Sequence, residues 1–256
     1  MASGSKVAII TGSSSITGIG AECALALSRV GYNVVINYSS NAGGAEETAN
    51  LCRKSGNEAI VFQADVSNDT ECRRMAQAAM DQWGRIDALV NNAAYTRPNP
   101  MADLEGLTPD DFHKSFSINV IGTYQMTRAA QPHLKAAGDS AVVNISSIGA
   151  WRSNGSSMAY TSSKGALNTM TIGLARVLAP ETRVNCICPG GLLGNWTRKI
   201  MSEEGYQKRV EEAETKYPLR RPVLPVDVAE TALWLITAAK TMTGEAIRMD
   251  CGQHLL

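Results

Sequence analysis

The sequence carries no excess of charge: 24 lysines and arginines stand against 24 aspartates and glutamates, and no long run of either sign breaks the balance. A nucleic acid or an anionic membrane surface held mainly by charge is therefore not an expected partner. No segment approaches the roughly 20 successive apolar residues that a membrane-spanning helix requires. The opening "MASGSKVAII" lacks the apolar core and cleavage-site pattern of a secretory signal. A cytoplasmic location follows as the expectation. The cysteines, Cys23, Cys52, Cys72, Cys186, Cys188 and Cys251, show neither CxxC spacing nor a disulfide framework. They read as buried, reduced thiols, with Cys186 and Cys188 on one strand face because they stand two apart. His113, His133 and His254 form no i, i+4 pair and no HExxH pattern, so no metal site is expected. Internal repeats and low-complexity stretches are also missing.

What is present is a regular alternation. A chain of 256 residues can bury the core of one α/β domain. Seven short β-branched runs, "KVAIITG", "NVVINYSS", "EAIVFQADVS", "DALVNNAA", "SAVVNISS", "RVNCICPG" and "EAIRMDCG", are separated by segments of helical period. Stretches such as "AECALALSRVG" and "ECRRMAQAAMDQWG" end in glycine, where a left-handed C-cap sits. Strand, helix and strand in repetition imply parallel strands joined by right-handed crossovers. The expected fold class is α/β, a Rossmann-type doubly wound parallel sheet in a three-layer αβα single domain over residues 1–256. Ligands of such sheets bind beyond the carboxyl ends of the strands, where the strand order reverses. The polar clusters of this chain fall at those ends. Residues 190–227 break the rhythm, being long, charged and interrupted by prolines, and a substrate lid is expected over about 191–226.

Directly behind the first run lies "TGSSSITGIG", residues 11–20. A strand before such a loop and a helix after it aim backbone N–H groups and a helix N-terminus at a pyrophosphate. Here the chain resembles the short-chain dehydrogenase/reductase family, whose loop reads TGxxxGxG. Either Ile16 replaces the middle glycine, or two residues have been added and Gly18 and Gly20 are the second and third glycines. In the family the last loop glycine and the helix-ending glycine stand about eleven apart, as Gly20 and Gly31 do here. Isoleucine is also costly where backbone must approach closely. The expectation is thus a two-residue insertion within 14–17, with Ile16 at its tip and Ser13, Ser14 or Thr17 offering hydroxyls to phosphate oxygens. The resemblance implies that Gly12, Ser14, Gly18, Ile19 and Gly20 hold the pyrophosphate.

The second strand ends in "INYSSNAGG", with Asn37 and Tyr38 where a NAD-selecting site usually places an acid. With no carboxylate to repel a 2′-phosphate, NADP(H) is the preferred cofactor and NAD(H) stays open. The resemblance assigns the phosphate to Tyr38, Ser39 and Ser40. Asp65 and Val66 in "QADVS" resemble the family's adenine contact, although Asp65 reads equally well as a helix N-cap. "NNAA", with Asn92 and Ala93, resembles the family's NNAG signature with Ala94 in place of the glycine.

Tyr160 and Lys164 in "YTSSK" stand four apart, on one face of a helix. A phenol with an ordinary pKa of about 10 is a poor acid–base group at neutral pH, and an adjacent ammonium favours its ionised form. Such a pair by itself is often just a solvated helix face. Ser147, thirteen residues before the tyrosine, and Asn119 in "SINVIGT" complete the family's set, and Pro189 with Gly190 follows the next strand. The resemblance implies hydride transfer between nicotinamide and a carbonyl or secondary alcohol. In it Tyr160 moves the proton, Lys164 lowers the Tyr160 pKa and holds the nicotinamide ribose, Ser147 holds the substrate oxygen, and Asn119 positions a water beside Lys164. Gly194 departs from the family, which commonly carries a threonine there to contact the carboxamide. Asn195, Thr197 or the backbone of Leu192 are the substitutes on offer.

The pocket walls are expected from Gly149, Trp151, Arg152, Tyr95, Arg97 and Trp196, with the arginines able to meet an anionic group. Three functions fit: a carbonyl reductase, probed best with small-molecule ketones and alcohols; a 3-oxoacyl-acyl-carrier-protein reductase, which "NYSS" and "NNAA" resemble; and a nucleotide-binding regulator without turnover. The intact Ser147, Tyr160 and Lys164 argue against the last. An enoyl reductase usually spaces its tyrosine and lysine farther apart. Family resemblance implies a homodimer or homotetramer, with the apolar "HLL" tail as packing surface.

Overall fold

All seven β-branched runs form strands in the structure, a computed structural model that describes residues 4–256. The start of the polar opening stretch lies outside the described residues. The strands are β1 (Val7–Ile10), β2 (Asn33–Tyr38), β3 (Ala59–Gln63), β4 (Ala88–Asn91), β5 (Ser140–Ile145), β6 (Thr182–Pro189) and β7 (Ala246–Met249). They pair in parallel in the order β3-β2-β1-β4-β5-β6-β7. The order therefore reverses between β1 and β4, whose side-by-side carboxyl ends leave a crevice.

The helices are α1 (Ile19–Arg29), α2 (Ala42–Arg53), α3 (Asp69–Trp83), α4 (Pro109–Phe116), α5 (Thr123–Ala137), α6 (Gly149–Arg152), α7 (Met158–Leu178), α8 (Asn195–Ile200), α9 (Glu203–Lys216) and α10 (Pro225–Thr237). Side chains alternate across the sheet, so Ala8 and Ile10 of β1 enter the core under α1, α2 and α10, whereas Val7 and Ile9 enter the core under α3, α5 and α7. Burial on both faces is why β1 reads as a continuous apolar run instead of an alternating one. Helix α3 ends on Gly84, left-handed at φ 69°. Its N-cap is Asn68, whose side chain accepts from the Thr70 and Glu71 amides. Asp65 is not that cap; it closes a local turn by accepting from the Ser67 amide and hydroxyl.

Residues 191–226 fold into α8 and α9 and reach the first turn of α10. All six cysteines are free, and Cys186 and Cys188 face the same way from β6, fully buried, with their sulfurs 3.9 Å apart. Among the described residues no helix is long and apolar enough to cross a membrane.

Candidate active site

The glycine loop is built around its neighbours on the sheet. Thr11 donates its hydroxyl to the Val90 carbonyl and accepts from the Asn92 and Ala93 amides at 2.9 and 3.0 Å. Asn92 returns the tie by donating to the Thr11 and Gly12 carbonyls. A Cβ on Gly12, at φ +63°, would lie 2.8 Å from the Ala93 Cα; one on Gly20 would lie 2.6 Å from Asn92 Nδ2 and 2.7 Å from the Gly12 carbonyl oxygen. The loop is thus packed backbone to backbone at both glycines, which only glycine permits. Gly18 accepts the first intrahelical bond of α1 and has no side chain to cap it. The first N–H groups of α1 are left open toward the crevice. Between these points Ser15 accepts from the Gly18 amide at 2.7 Å, a tight turn with Ile16 and Thr17 at its centre.

A continuous cavity of about 1010 Å³ runs from this loop, over the ends of β4 and β5, to α8 and α9. At its loop end lie Gly12, Ser15, Thr17, Gly18, Ile19, Gly20, Ser39 and Asp65. Ser13 turns inward, its hydroxyl donating to the Ile10 carbonyl. Ser14 does not line the cavity either, and Ser15 takes its place. At the end of β2, only Ser39 of the expected trio reaches the cavity. Tyr38 packs against the core, because strand alternation sends it to the same side as Ile36. Asn37 is a loop anchor: its Oδ1 accepts from the Gly12 amide and its Nδ2 donates to the Ala64 carbonyl. Val66 is a core residue whose carbonyl is taken by Gln125.

In the middle of the cavity Ser147 follows β5 and Tyr160 and Lys164 project from α7. Ser157 sets the helix start, its hydroxyl accepting from the Tyr160 amide. Lys164 is 2 % exposed; its Nζ donates to the Ile145 carbonyl at 2.7 Å and sits 5.5 Å from the centre of the Tyr160 ring. Burial lowers the lysine to a pKa of about 8, which the neighbouring Cys188 and Cys186 sulfurs oppose. Burial likewise pushes the Tyr160 phenol up to about 12, with the Ser147 hydroxyl pulling it down. The direction of the Tyr160 shift is set by desolvation, with the Ser147 hydroxyl as the lowering partner. Asn119 lies in a π-helical turn, Ser117–Gly122, fully buried. Its amide is engaged by both polar backbone atoms of Tyr95 and by the Ser163 hydroxyl, which fixes the side chain in place.

The remaining walls differ in part from expectation. Gly149, Tyr95, Arg152 and Trp196 line the cavity. Trp151 points away, 45 % exposed beneath the Arg248 guanidinium. Arg97 is paired with Asp111 at the start of α4. Pro189, Gly190, Leu192 and Gly194 form the floor beyond β6. Thr197 spends its hydroxyl on the Leu192 carbonyl at 2.7 Å, which leaves the exposed Asn195 as the free side chain beside Gly194.

Comparison with known proteins fits this geometry. The family model described as Enoyl-(Acyl carrier protein) reductase matches residues 12–254. A Streptomyces violaceoruber protein named "Granaticin polyketide synthase putative ketoacyl reductase 2" is 41% identical over 250 residues, covering 98% of this chain and 96% of its own. The chain belongs to the short-chain dehydrogenase/reductase family. A crystal structure of a protein from Burkholderia xenovorans superposes on this dehydrogenase/reductase with a TM-score of 0.91, at 36% identity over 100% of both chains. A 7α-hydroxysteroid dehydrogenase solved with NADH and 7-oxo glycochenodeoxycholic acid follows at TM-score 0.87 and 28% identity, covering 97% of this chain and 94% of that one. The family binds a nicotinamide cofactor, and the open helix N-terminus between two close-packed glycines is a cradle of the shape a dinucleotide needs.

Tyr217, Gln253 and Arg209 also line the cavity and were not legible in the sequence. No motif marks them, since they reach the site from α9 and the C-terminal segment through long-range packing.

Proposed function

We propose that this short-chain dehydrogenase/reductase is a ketone reductase that prefers NADPH. The observation that carries the reading is the placing of Ser147, Tyr160 and Lys164 at the middle of one cavity whose far end is the glycine cradle. When bound, the nicotinamide cofactor supplies or accepts the hydride. The protein's part is protonic and electrostatic: Ser147 donates a hydrogen bond to the substrate oxygen, and Tyr160 gives its phenolic proton to the alkoxide that forms there. A phenol held at about 12 is fully protonated at neutral pH, which suits proton donation and hence reduction. Lys164, as an ammonium, holds the ribose side and stabilises the phenolate left behind. Gly12, Gly18, Ile19 and Gly20 would hold the pyrophosphate, with Ser15 nearer to it than Ser14, and Asp65 and Ser39 would face the adenosine. The helical segment 191–226 would close over the substrate.

The sign of the pH dependence follows. Lys164 is charged below about 8 and loses its proton above it, while Tyr160 keeps its own to about 12. The kcat/KM for ketone reduction should be level near neutrality and fall by roughly tenfold per pH unit above about 8. A profile level to about pH 10 would show that Lys164 has its ordinary, exposed-lysine pKa.

The NADPH preference rests on the lack of a carboxylate at the end of β2, where Tyr38, Ser39 and Ser40 stand. Among the described residues no lysine or arginine lines the cavity beside Ser39, so the preference should be modest, about tenfold in kcat/KM. Assays of a ketone and alcohol panel with both cofactors at equal concentration test the reading. A higher rate with NADH would reverse the cofactor assignment, and a wholly inactive panel with tight cofactor binding would replace the enzyme by a nucleotide-binding regulator. Reduction of a 3-oxoacyl group on a carrier protein is the second reading, favoured by the ketoacyl reductase name of the 41% identical relative and by Lys199 and Arg209 at the lid mouth. The spacing of Tyr160 and Lys164 disfavours an enoyl substrate.

A further inference from the structure

The end of β5 holds helix α7 at three successive residues. The Ile145 carbonyl accepts from the Lys164 ammonium at 2.7 Å, and the Ser147 hydroxyl meets the Tyr160 phenol. Ser146, between them, is buried, and carbonyl reduction gives it no task. Its hydroxyl donates to Asn168 Oδ1 at 2.6 Å and lies 3.3 Å from the Lys164 carbonyl oxygen. Asn168 stands four residues beyond Lys164 on α7, so the two side chains leave the helix on one face.

Asn168 Oδ1 is a crowded acceptor. Besides the Ser146 hydroxyl it faces the Cys186 and Cys188 thiols of β6, at 3.5 and 3.7 Å. The Ser146 amide donates to the Ile187 carbonyl at 2.7 Å, so β5, β6 and α7 are joined within one helical turn of the lysine. A hydroxyl has one proton, and the partner at 2.6 Å takes it. Without that acceptor the hydroxyl is left with the Lys164 carbonyl, which α7 already engages. Lys164 itself is 2 % exposed. Removing an ammonium from water is costly, so a buried lysine moves toward solvent when the groups that seat it give way. The titratable groups that face it are Tyr160 on its own helix and Cys186 and Cys188 on β6. The end of β5 contributes carbonyl and hydroxyl groups only, and the π-helical turn Ser117–Gly122 carries no titratable side chain.

We propose that Asn168 is a positioning residue for Lys164: through Ser146 it locks the Lys164 turn of α7 onto the end of β5, and so sets where the ammonium sits relative to Tyr160 and Ser147. It touches neither substrate nor cofactor in this role. Its oxygen is the acceptor that lets Ser146 serve as the link, and the link fixes the distance between the helix that carries Tyr160 and Lys164 and the strand end that carries Ser147. Small displacements between reacting groups are expensive in rate, which is why a residue one turn away from the chemistry can matter to it.

The effect on turnover rests on the carbonyl-reduction reading, and a measurement without turnover separates the two. Asn168→Ala removes the acceptor and Ser146→Ala the donor. Each should lower kcat for ketone reduction, counted per NADPH-binding site, by about 10-fold, and the double variant by about the same factor, because both delete one link. Asn168→Asp keeps the accepting oxygen and should stay within about threefold of the unaltered rate. A lysine that gains water moves from about 8 toward its ordinary value of about 10.4, so the alkaline fall in kcat/KM should move up by about half a pH unit or more in both alanine variants. A loss confined to folding would reduce the number of binding sites and leave the pH profile in place. Unaltered rates, losses that multiply to about 100-fold in the double variant, an Asn168→Asp protein as slow as Asn168→Ala, or an unmoved profile overturn the assignment. Should the unaltered protein reduce no ketone of the panel, the carbonyl-reduction reading is the one that fails. The seating of Lys164 is then read by carbon-13 NMR of the lysine Cε atoms across pH, with Lys164→Met giving the assignment. A midpoint raised by about half a unit or more in both alanine variants supports the lock, and an unmoved midpoint overturns it.

Discussion

Tyr160→Phe is expected to lower ketone reduction by about 1000-fold while leaving cofactor affinity within about twofold. The substitution removes one hydroxyl and keeps the ring, which is seated against Gly155 and Lys164. No backbone group depends on that hydroxyl, and its neighbour is the Ser147 side chain. The fold and the cradle beneath β1 and β4 should therefore persist, and the loss should be confined to kcat. General acid catalysis contributes roughly 100- to 10000-fold in enzymes, which sets the size of the drop. Steady-state rates beside a fluorescence titration of NADPH check both halves. Turnover at the unaltered rate would remove Tyr160 from the chemistry and leave Lys164 or a water as the acid.

The second large effect concerns the register of the loop. Gly20→Ala should weaken cofactor binding by on the order of 10- to 100-fold, because the new methyl group would lie within 2.9 Å of Asn92 Nδ2, the Gly12 carbonyl oxygen and the Ser13 Cα. Two of those three atoms are backbone and cannot rotate away. Gly18→Ala should cost only a few-fold. Its backbone is extended, at φ −97°, and its nearest neighbour, the Ser15 carbonyl at 3.1 Å, lies in a turn that can shift. Equilibrium titration of both variants with NADPH measures the contrast. If Gly18→Ala proves the more damaging, Gly18 and not Gly20 is the point of closest approach, and the loop has no inserted turn.

Much of this protein was legible because its chemistry is local or periodic. The seven strands announce themselves through runs of residues that suit a buried, pleated surface. Tyr160 and Lys164 share a helix face by spacing alone, and Ser147 stands at a strand end where ligands gather. The glycine pair could be chosen from helix length, since α1 must end near Gly31 whatever precedes it. The less legible residues depend on partners far along the chain. Arg97 was open to a substrate until Asp111 was seen beside it, and Trp151 until Arg248 covered it. Asn119 has the family's place in the chain, and its hydrogen bonds to Tyr95 and Ser163 arise only in the folded chain.

The sequence by itself determined the fold class and the order of the elements and singled out the trio proposed to react, for each rests on patterns spanning a few residues. Tertiary structure alone decided which hydroxyls face the cavity, that burial lowers the pKa of Lys164 and raises that of Tyr160, and that Tyr217 and Gln253 line the same cavity. The reason is physical. Desolvation and hydrogen-bond saturation are properties of a site's whole surroundings, and those surroundings are assembled here from segments more than a hundred residues apart, as when Arg152 grips the carbonyl of Gln253.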